Sequence, residues 1–177
     1  MAIGSKGIRI ALSVFLVAQR AFAGQGALDG VECGSDVRAL LVGRTIPNER
    51  VSSTEQRYKA IGLKDLGSYE VSDKLSVASW RICGEEYELL QEGSRVMDVL
   101  KFPVHSKAAP EFVGECQIDG KQSTATIIAV LDGSASESWL PAKKAWRVDE
   151  VRKTFVDLHG ANISCPRDGI VTADGGP

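Results

Sequence analysis

Four widely spaced cysteines constrain the fold of this chain more than any other feature of its sequence. Cys33, Cys83, Cys116 and Cys165 are separated by 50, 33 and 49 residues. Structural zinc sites usually take cysteines in pairs with about two to four residues between them, so this spacing does not indicate a metal site. An even number of cysteines predicts two disulfide bonds, provided that the chain reaches an oxidising compartment.

The N-terminus predicts that the chain does reach such a compartment. Residues 1–23 carry three basic residues and no acidic residue, and the stretch from Ile10 to Ala18 is almost purely apolar. Ala21-Phe22-Ala23 then places small residues where a signal peptidase cuts, so the segment is typical of a secretory signal peptide. The apolar run is also shorter than the ~20 residues of a membrane span. The alternative interpretation is an N-terminal core helix.

Cleavage after Ala23 divides the chain into three parts. We predict a signal peptide over 1–23, a single domain over 24–168 and a flexible tail over 169–177, because a chain of about 150 residues buries most of its surface in one core. The mature chain holds 18 basic and 23 acidic residues, a net charge of −5 against −2 for the whole chain. This balance does not favour nucleic-acid binding. The expected product is secreted or periplasmic, with no membrane span in the mature chain.

Four cysteines allow three disulfide connectivities, and the spacing does not choose among them. We favour Cys33–Cys165, which would join the two ends of the domain. The second bond would then be Cys83–Cys116, which would join two predicted strands.

The N-terminal third of the domain has helical periodicity. Ser35 suits a helix N-cap, and the apolar residues that follow share one helical face until Gly43. A second helix is predicted over 52–61, where Ser52 and Glu55 fit a capping box.

In the remainder of the domain, apolar and polar residues alternate as they do in β-strands. Hairpin turns are predicted at Cys83-Gly84, Gly93-Ser94 and Asp119-Gly120. A further hairpin is predicted around Asp149-Glu150, although a helix over 148–158 would also fit the apolar spacing. The predicted fold class is therefore α+β, with one or two N-terminal helices packed on a disulfide-stapled antiparallel β-sheet of about five to seven strands.

Motifs for common catalytic and cofactor chemistry are not found in the sequence. There is no G-x-S-x-G, GxGxxG, P-loop or HExxH pattern, so we predict no catalytic residue, no cofactor and no metal. His105 has the best side chain for acid–base catalysis and lies in a loop bracketed by prolines. The simpler interpretation is a solvated loop histidine, and the acidic residues of 85–88 are similarly interpreted as a solvated hairpin tip.

Charge distribution gives the one functional lead. Residues 24–137 have a net charge of −6, whereas residues 138–168 have +2 and contain two tryptophans. Aromatic side chains beside cations are frequent in binding surfaces. The predicted partner-binding residues are Trp139, Lys143, Lys144, Trp146 and Arg147.

These observations predict a small exported binding or inhibitor-type protein, with a protein or an envelope component as its partner. The alternatives are a small exported hydrolase that uses His105 and a structural envelope component. A hydrolase requires a pocket in which His105 meets a carboxylate or hydroxyl group. A binding protein requires Trp139 or its neighbours to be exposed on a continuous surface.

Overall fold

The computed structural model describes residues 26–47 and 49–171. The predicted signal peptide lies outside the described residues, as do residues 172–177 of the predicted tail. The helical elements are α1 (Val37–Leu41), α2 (Val51–Arg57) and two 3₁₀ turns (Lys59–Ile61 and Arg167–Gly169). The strands are β1 (Lys64–Glu70), β2 (Leu75–Ile82), β3 (Glu85–Glu92), β4 (Arg95–Phe102), β5 (Glu111–Gly114), β6 (Gln117–Ile118), β7 (Lys121–Gln122), β8 (Ile127–Leu131), β9 (Trp139–Asp149), β10 (Thr154–Asp157), β11 (Ile163–Pro166) and β12 (Ile170–Val171).

The first sheet is an antiparallel meander in the order β1-β2-β3-β4. Its central hairpin turns at Cys83 and Gly84, whose φ angles of 55° and 80° lie in the left-handed region that a two-residue type I′ turn requires. The next hairpin turns at Gly93-Ser94, between β3 and β4. Both predicted hairpins are confirmed.

The second sheet is also antiparallel, in the order β12-β5-β8-β9-β11-β6-β7, with β10 pairing on β9. Asp119 and Gly120 form the two-residue turn between β6 and β7, with φ angles of 50° and 75°. Strands β9 and β10 form a hairpin with Thr154 opposite Asp149, which confirms the predicted hairpin over the helical alternative.

The predicted α+β class is wrong, because the chain is mostly β and its strands form two sheets. Helix α1 has five residues and α2 has seven, and none of the seven α2 residues is buried. The predicted capping box does not form, since Arg50 is the N-cap of α2 and Glu55 accepts a hydrogen bond from Asp65 N at 3.0 Å. Asp36, rather than Ser35, caps α1. The helices are therefore too small to form a layer equal to a sheet.

The buried apolar side chains of the described residues form three clusters, one between the two sheets and one on each outer face. The N-terminal segment and α1 cover one face of the first sheet, and the central cluster includes Val77 and Leu90 of that sheet with Ile128 and Val148 of the second. The third cluster lies on the remaining face of the second sheet, around Phe112. The two sheets are thus packed face to face through the central cluster.

Two disulfide bonds are present, but the predicted connectivity is wrong. Cys33 pairs with Cys83 and Cys116 pairs with Cys165. The first bond ties the N-terminal segment to the β2–β3 turn, and the second ties the β5–β6 connection to β11. Each bond thus lies within one half of the chain, and neither joins the two ends of the domain. Two disulfides indicate an oxidising environment.

Asp98 joins three elements at the buried junction of β4 with the second sheet. Its Oδ2 accepts hydrogen bonds from Phe155 N at 2.9 Å and from Thr154 Oγ1 at 2.5 Å, both on β10. Its Oδ1 accepts from Val99 N and lies 2.8 Å from the guanidinium of Arg38 on α1. A carboxylate with donors on both oxygens can be buried at low cost.

Replacing Asp98 by asparagine should lower the free energy of unfolding by about 3 kcal/mol. The amide NH₂ group must face N–H or O–H donors whichever way it is turned, and the charge that pairs with Arg38 is lost. Urea unfolding measures the effect, and Asp157→Asn, an exposed residue of β10, is the matched control. Equal stability of the two variants would contradict the bridging role of Asp98.

Candidate functional site

His105 lies between two carboxylates at the junction of the sheets. Its Nδ1 is 3.4 Å from Glu86 Oε2 of β3, and its Nε2 is 3.8 Å from Glu111 Oε2 of β5. The ring packs edge-on against Phe102, with the ring centroids 5.6 Å apart. Arg81 of β2 donates to Glu86 Oε1 from both Nε and Nη2. The imidazole therefore connects the first sheet to the second.

Burial dominates the electrostatics of this cluster. Glu88 is 2% exposed, and its burial raises the pKa of the carboxyl group to about 8. A hydrogen bond from Ser79 Oγ at 2.7 Å opposes that rise, and the nearby carboxylates of Glu111 and Glu86 add to it. Burial also raises the pKa of Glu111, although His105 acts in the opposite direction. A pKa of about 8 keeps the carboxyl group of Glu88 mostly protonated at pH 7.

Two expectations about these residues are wrong. The side chain of His105 is only 10% exposed, so it is not a solvated loop histidine. Among the acidic residues of the β3 start only Glu85 is exposed, while Glu86 and Glu88 point into the sheet junction. The period-2 pattern carried the missing signal, because Glu88 shares its sheet face with Leu90 of the central cluster.

This arrangement differs from that of a general base. Such a base needs one nitrogen directed at the substrate and the other held by an orienting group. Both ring nitrogens of His105 instead face carboxylates of the protein. Within the described ranges, no group of three or more His, Cys, Asp or Glu side chains is placed to hold a metal ion. We call the contact of His105 with Glu86 and Glu111 the His105 clamp.

Strand β9 carries all five predicted partner-binding residues. Lys143 and Lys144 are exposed, and Trp139, Trp146 and Arg147 are half-buried. Trp146 packs into the central cluster, with its ring 6.0 Å from that of Phe102. One strand thus carries two exposed lysines and two half-buried tryptophans.

The edge of β9 that faces away from β8 has no strand paired with it where the lysines lie. Strand β10 pairs with β9 from Trp146 to Asp149, and β11 pairs with it from Trp139 to Pro141. Between these ladders, residues 142–145 face the turn that connects β10 to β11. Leu158 N donates to Ala145 O at 3.0 Å across this gap.

A cavity of about 170 Å³ occupies the gap. One wall is the β9 stretch from Ala142 to Trp146, and the other is the turn from Asp157 to Ala161, which includes His159. We call this cavity the β9 groove. Its lining contains two of the predicted lysines and Trp146, but neither Trp139 nor Arg147. His159 was not among the predicted binding residues, and it lines the cavity only because β9 is unpaired at this edge.

The lysines of the β9 groove differ in their surroundings. Lys143 is the extra residue at a bulge opposite Val130 and Leu131, and its Nζ lies 3.3 Å from Asp132 Oδ1. Lys144 is opposite Val130 in the ladder and is exposed. Lysine ammonium groups held at a cavity rim attract anionic groups of a partner.

Comparisons with protein-family models, curated proteins and solved structures give no match to this chain. None of the helices in the described part of the chain is long and apolar enough to cross a membrane.

Proposed function

We propose that this chain is an exported binding protein whose β9 groove contacts an anionic group of a protein or envelope partner. The supporting observation is the interruption of the β9 ladder, which leaves a cavity lined by Lys143, Lys144 and Trp146. The two disulfides are consistent with a secreted or periplasmic location.

Size and charge define the partner group. The groove volume of about 170 Å³ is below the ~300 Å³ at which small-molecule pockets begin. It suits one side chain or one headgroup of a larger partner. The groove is lined by two lysines and one acid, Asp157, which favours a negatively charged group, and Asp132 outside the lining pairs with only one of the lysines, Lys143.

The clamp position of His105 supports binding over hydrolysis. Both of its ring nitrogens face protein carboxylates, and the described linings of the two cavities do not include it. A rigid scaffold with two disulfides also lowers the entropy cost of presenting a fixed surface to a partner.

The double variant Lys143→Ala/Lys144→Ala should weaken partner association about tenfold, because two rim charges that attract the partner are lost. The mature protein is immobilised and exposed to the envelope fraction of the producing cell. The retained component is then quantified for the wild type and the variant. Retention by the wild type should also fall with added salt, because exposed charges are screened.

A matched variant, Lys59→Ala/Lys121→Ala, removes two exposed lysines outside the groove. It should retain the same component as the wild type does. If both double variants lost the same amount of retained component, the loss would follow from the change in net charge and the groove would have no specific role. Unchanged retention after loss of Lys143 and Lys144 would also overturn the proposed role of the β9 groove.

A further inference from the structure

A second, larger cavity lies on the opposite side of the first sheet. It measures about 420 Å³ and opens between α2 and the outer face of β1–β3. We call it the α2 cleft. Its floor is made of small side chains, those of Ser68, Ser76 and Ala78. The cleft stays open because these residues leave space and α2 buries none of its own side chains against the sheet.

One end of the cleft is apolar. Leu63 and Trp80 line it and also belong to the N-terminal hydrophobic cluster. Val51 of α2, 50% exposed, also lines the cavity. A volume above about 300 Å³ with an apolar end and a few polar groups is typical of small-molecule sites.

The charged residues that line the cleft are acidic. They are Glu49, Glu55 and Asp65, and no lysine or arginine is among the described lining residues. Arg57 neutralises Glu49 through two contacts, Nη1–Oε1 at 3.1 Å and Nη2–Oε2 at 3.0 Å.

The other two carboxylates are not neutralised by a described basic side chain. Glu55 accepts a hydrogen bond from Asp65 N at 3.0 Å, and Asp65 accepts one from Gly67 N at 2.8 Å. These backbone bonds fix both side chains but leave their negative charges uncompensated. An apolar end and two fixed carboxylates together are complementary to a cation with an apolar body.

We propose that the α2 cleft binds a small organic cation, an ammonium group carried on an aromatic or alkyl body. The ammonium group lies by Glu55 and Asp65, and the body packs against Leu63 and Trp80. This site is separate from the β9 groove and has the opposite charge preference, so it goes beyond the proposed function.

Titration of the isotope-labelled mature protein with phenethylammonium, followed by backbone amide NMR, tests the proposal. Saturable shifts are expected at Ser68, Ser76 and Ala78, with a dissociation constant of about 1 mM for a ligand of this size. The neutral isostere 2-phenylethanol should bind about fivefold more weakly. Equal binding of the two compounds, shifts confined to other surfaces, or no saturation by about 20 mM would each overturn the proposal.

Variants of the cleft provide a second readout. Glu55→Gln together with Asp65→Asn keeps both hydrogen-bond acceptors and removes both charges, so phenethylammonium should bind about tenfold more weakly. Ser76→Leu fills the floor and should abolish the shifts. Ser136→Leu, an exposed serine outside the cleft, is the matched control and should bind as the wild type does. Undiminished binding to the charge-removed variant would contradict the role of Glu55 and Asp65.

Discussion

Replacement of Glu88 by glutamine should remove most of a steep loss of stability between pH 5 and pH 9. Glu88 has its pKa raised from 4.5 to about 8 in the folded chain, because burial penalises its charged form. The folded state therefore holds a proton that the unfolded state has released over this interval. Its stabilising contribution is complete below the unfolded pKa and is lost as the pH rises towards 8.

The size of this effect follows from the shift. Each pKa unit corresponds to about 1.4 kcal/mol, so ionising Glu88 in the folded state costs on the order of 5 kcal/mol. Glu111 acts in the same direction, because its pKa is also raised by burial. A smaller slope should therefore remain in the glutamine variant, whose amide is neutral throughout and can still bond to Ser79.

Urea unfolding at pH 5.5, 7 and 9 measures the pH dependence. The free energy of unfolding of the wild type should fall across the series, and that of Glu88→Gln should change much less. Glu85→Gln is the control on the same strand. Glu85 is exposed, and hydrogen bonds from Lys101 and Tyr87 lower its pKa. In Glu85→Gln the free energy of unfolding should fall between pH 5.5 and pH 9 as much as it does in the wild type. The same fall in Glu88→Gln as in the wild type would contradict the prediction.

Removal of either disulfide should cost about 4 kcal/mol, the chain-entropy value for a loop of this length. The sequence separations are 50 residues for Cys33–Cys83 and 49 for Cys116–Cys165, so entropy alone predicts nearly equal losses. The burial of the cysteines makes the two losses of stability unequal. Cys116 and Cys165 are fully buried in the cluster around Phe112, whereas Cys33 is exposed. The double alanine variant of the second bond should therefore lose more, because it also loses core contacts.

The free energy of unfolding of each double alanine variant checks this order. Peptide mapping of the unreduced wild type provides the control for connectivity, with linked peptides expected for Cys33–Cys83 and Cys116–Cys165. Finding Cys33 linked to Cys165 would overturn the structure's pairing. Loss of both bonds would cost about 8 kcal/mol, which is comparable to the whole stability of many domains.

Local features of this fold were predictable from the sequence, because they depend on neighbouring residues. The turns at Cys83-Gly84 and Asp119-Gly120 need two residues that tolerate positive φ angles. Because these two residues are adjacent in the sequence, such a turn can be recognised from the sequence alone. The strands on either side followed from period-2 alternation and β-branched content. Confirmed hairpins therefore cluster where the turn chemistry is strongest.

Long-range features were not predictable in this way. Whether strands form one sheet or two depends on packing between residues such as Val77 and Ile128, which lie far apart in sequence. The pairing of the cysteines depends on the same packing. The role of Asp98 was missed for a related reason, since its partner Phe155 lies 57 residues away in the sequence. The predicted lysines share a cavity with His159 only because the β9 ladder is interrupted.

The two disulfides do not interleave along the chain, and this has a consequence for how the molecule can be divided. Cys33–Cys83 closes before the loop at 103–110 and Cys116–Cys165 closes after it. A single backbone cut in that loop would produce two fragments, each with its own intact disulfide bond. Only non-covalent contacts, including Asp98 with β10, the His105 clamp and Lys153 with Glu92 at 2.7 Å, would hold them together. The chain is thus suited to fragment complementation, in which two separately oxidised halves reassemble without forming or exchanging a disulfide.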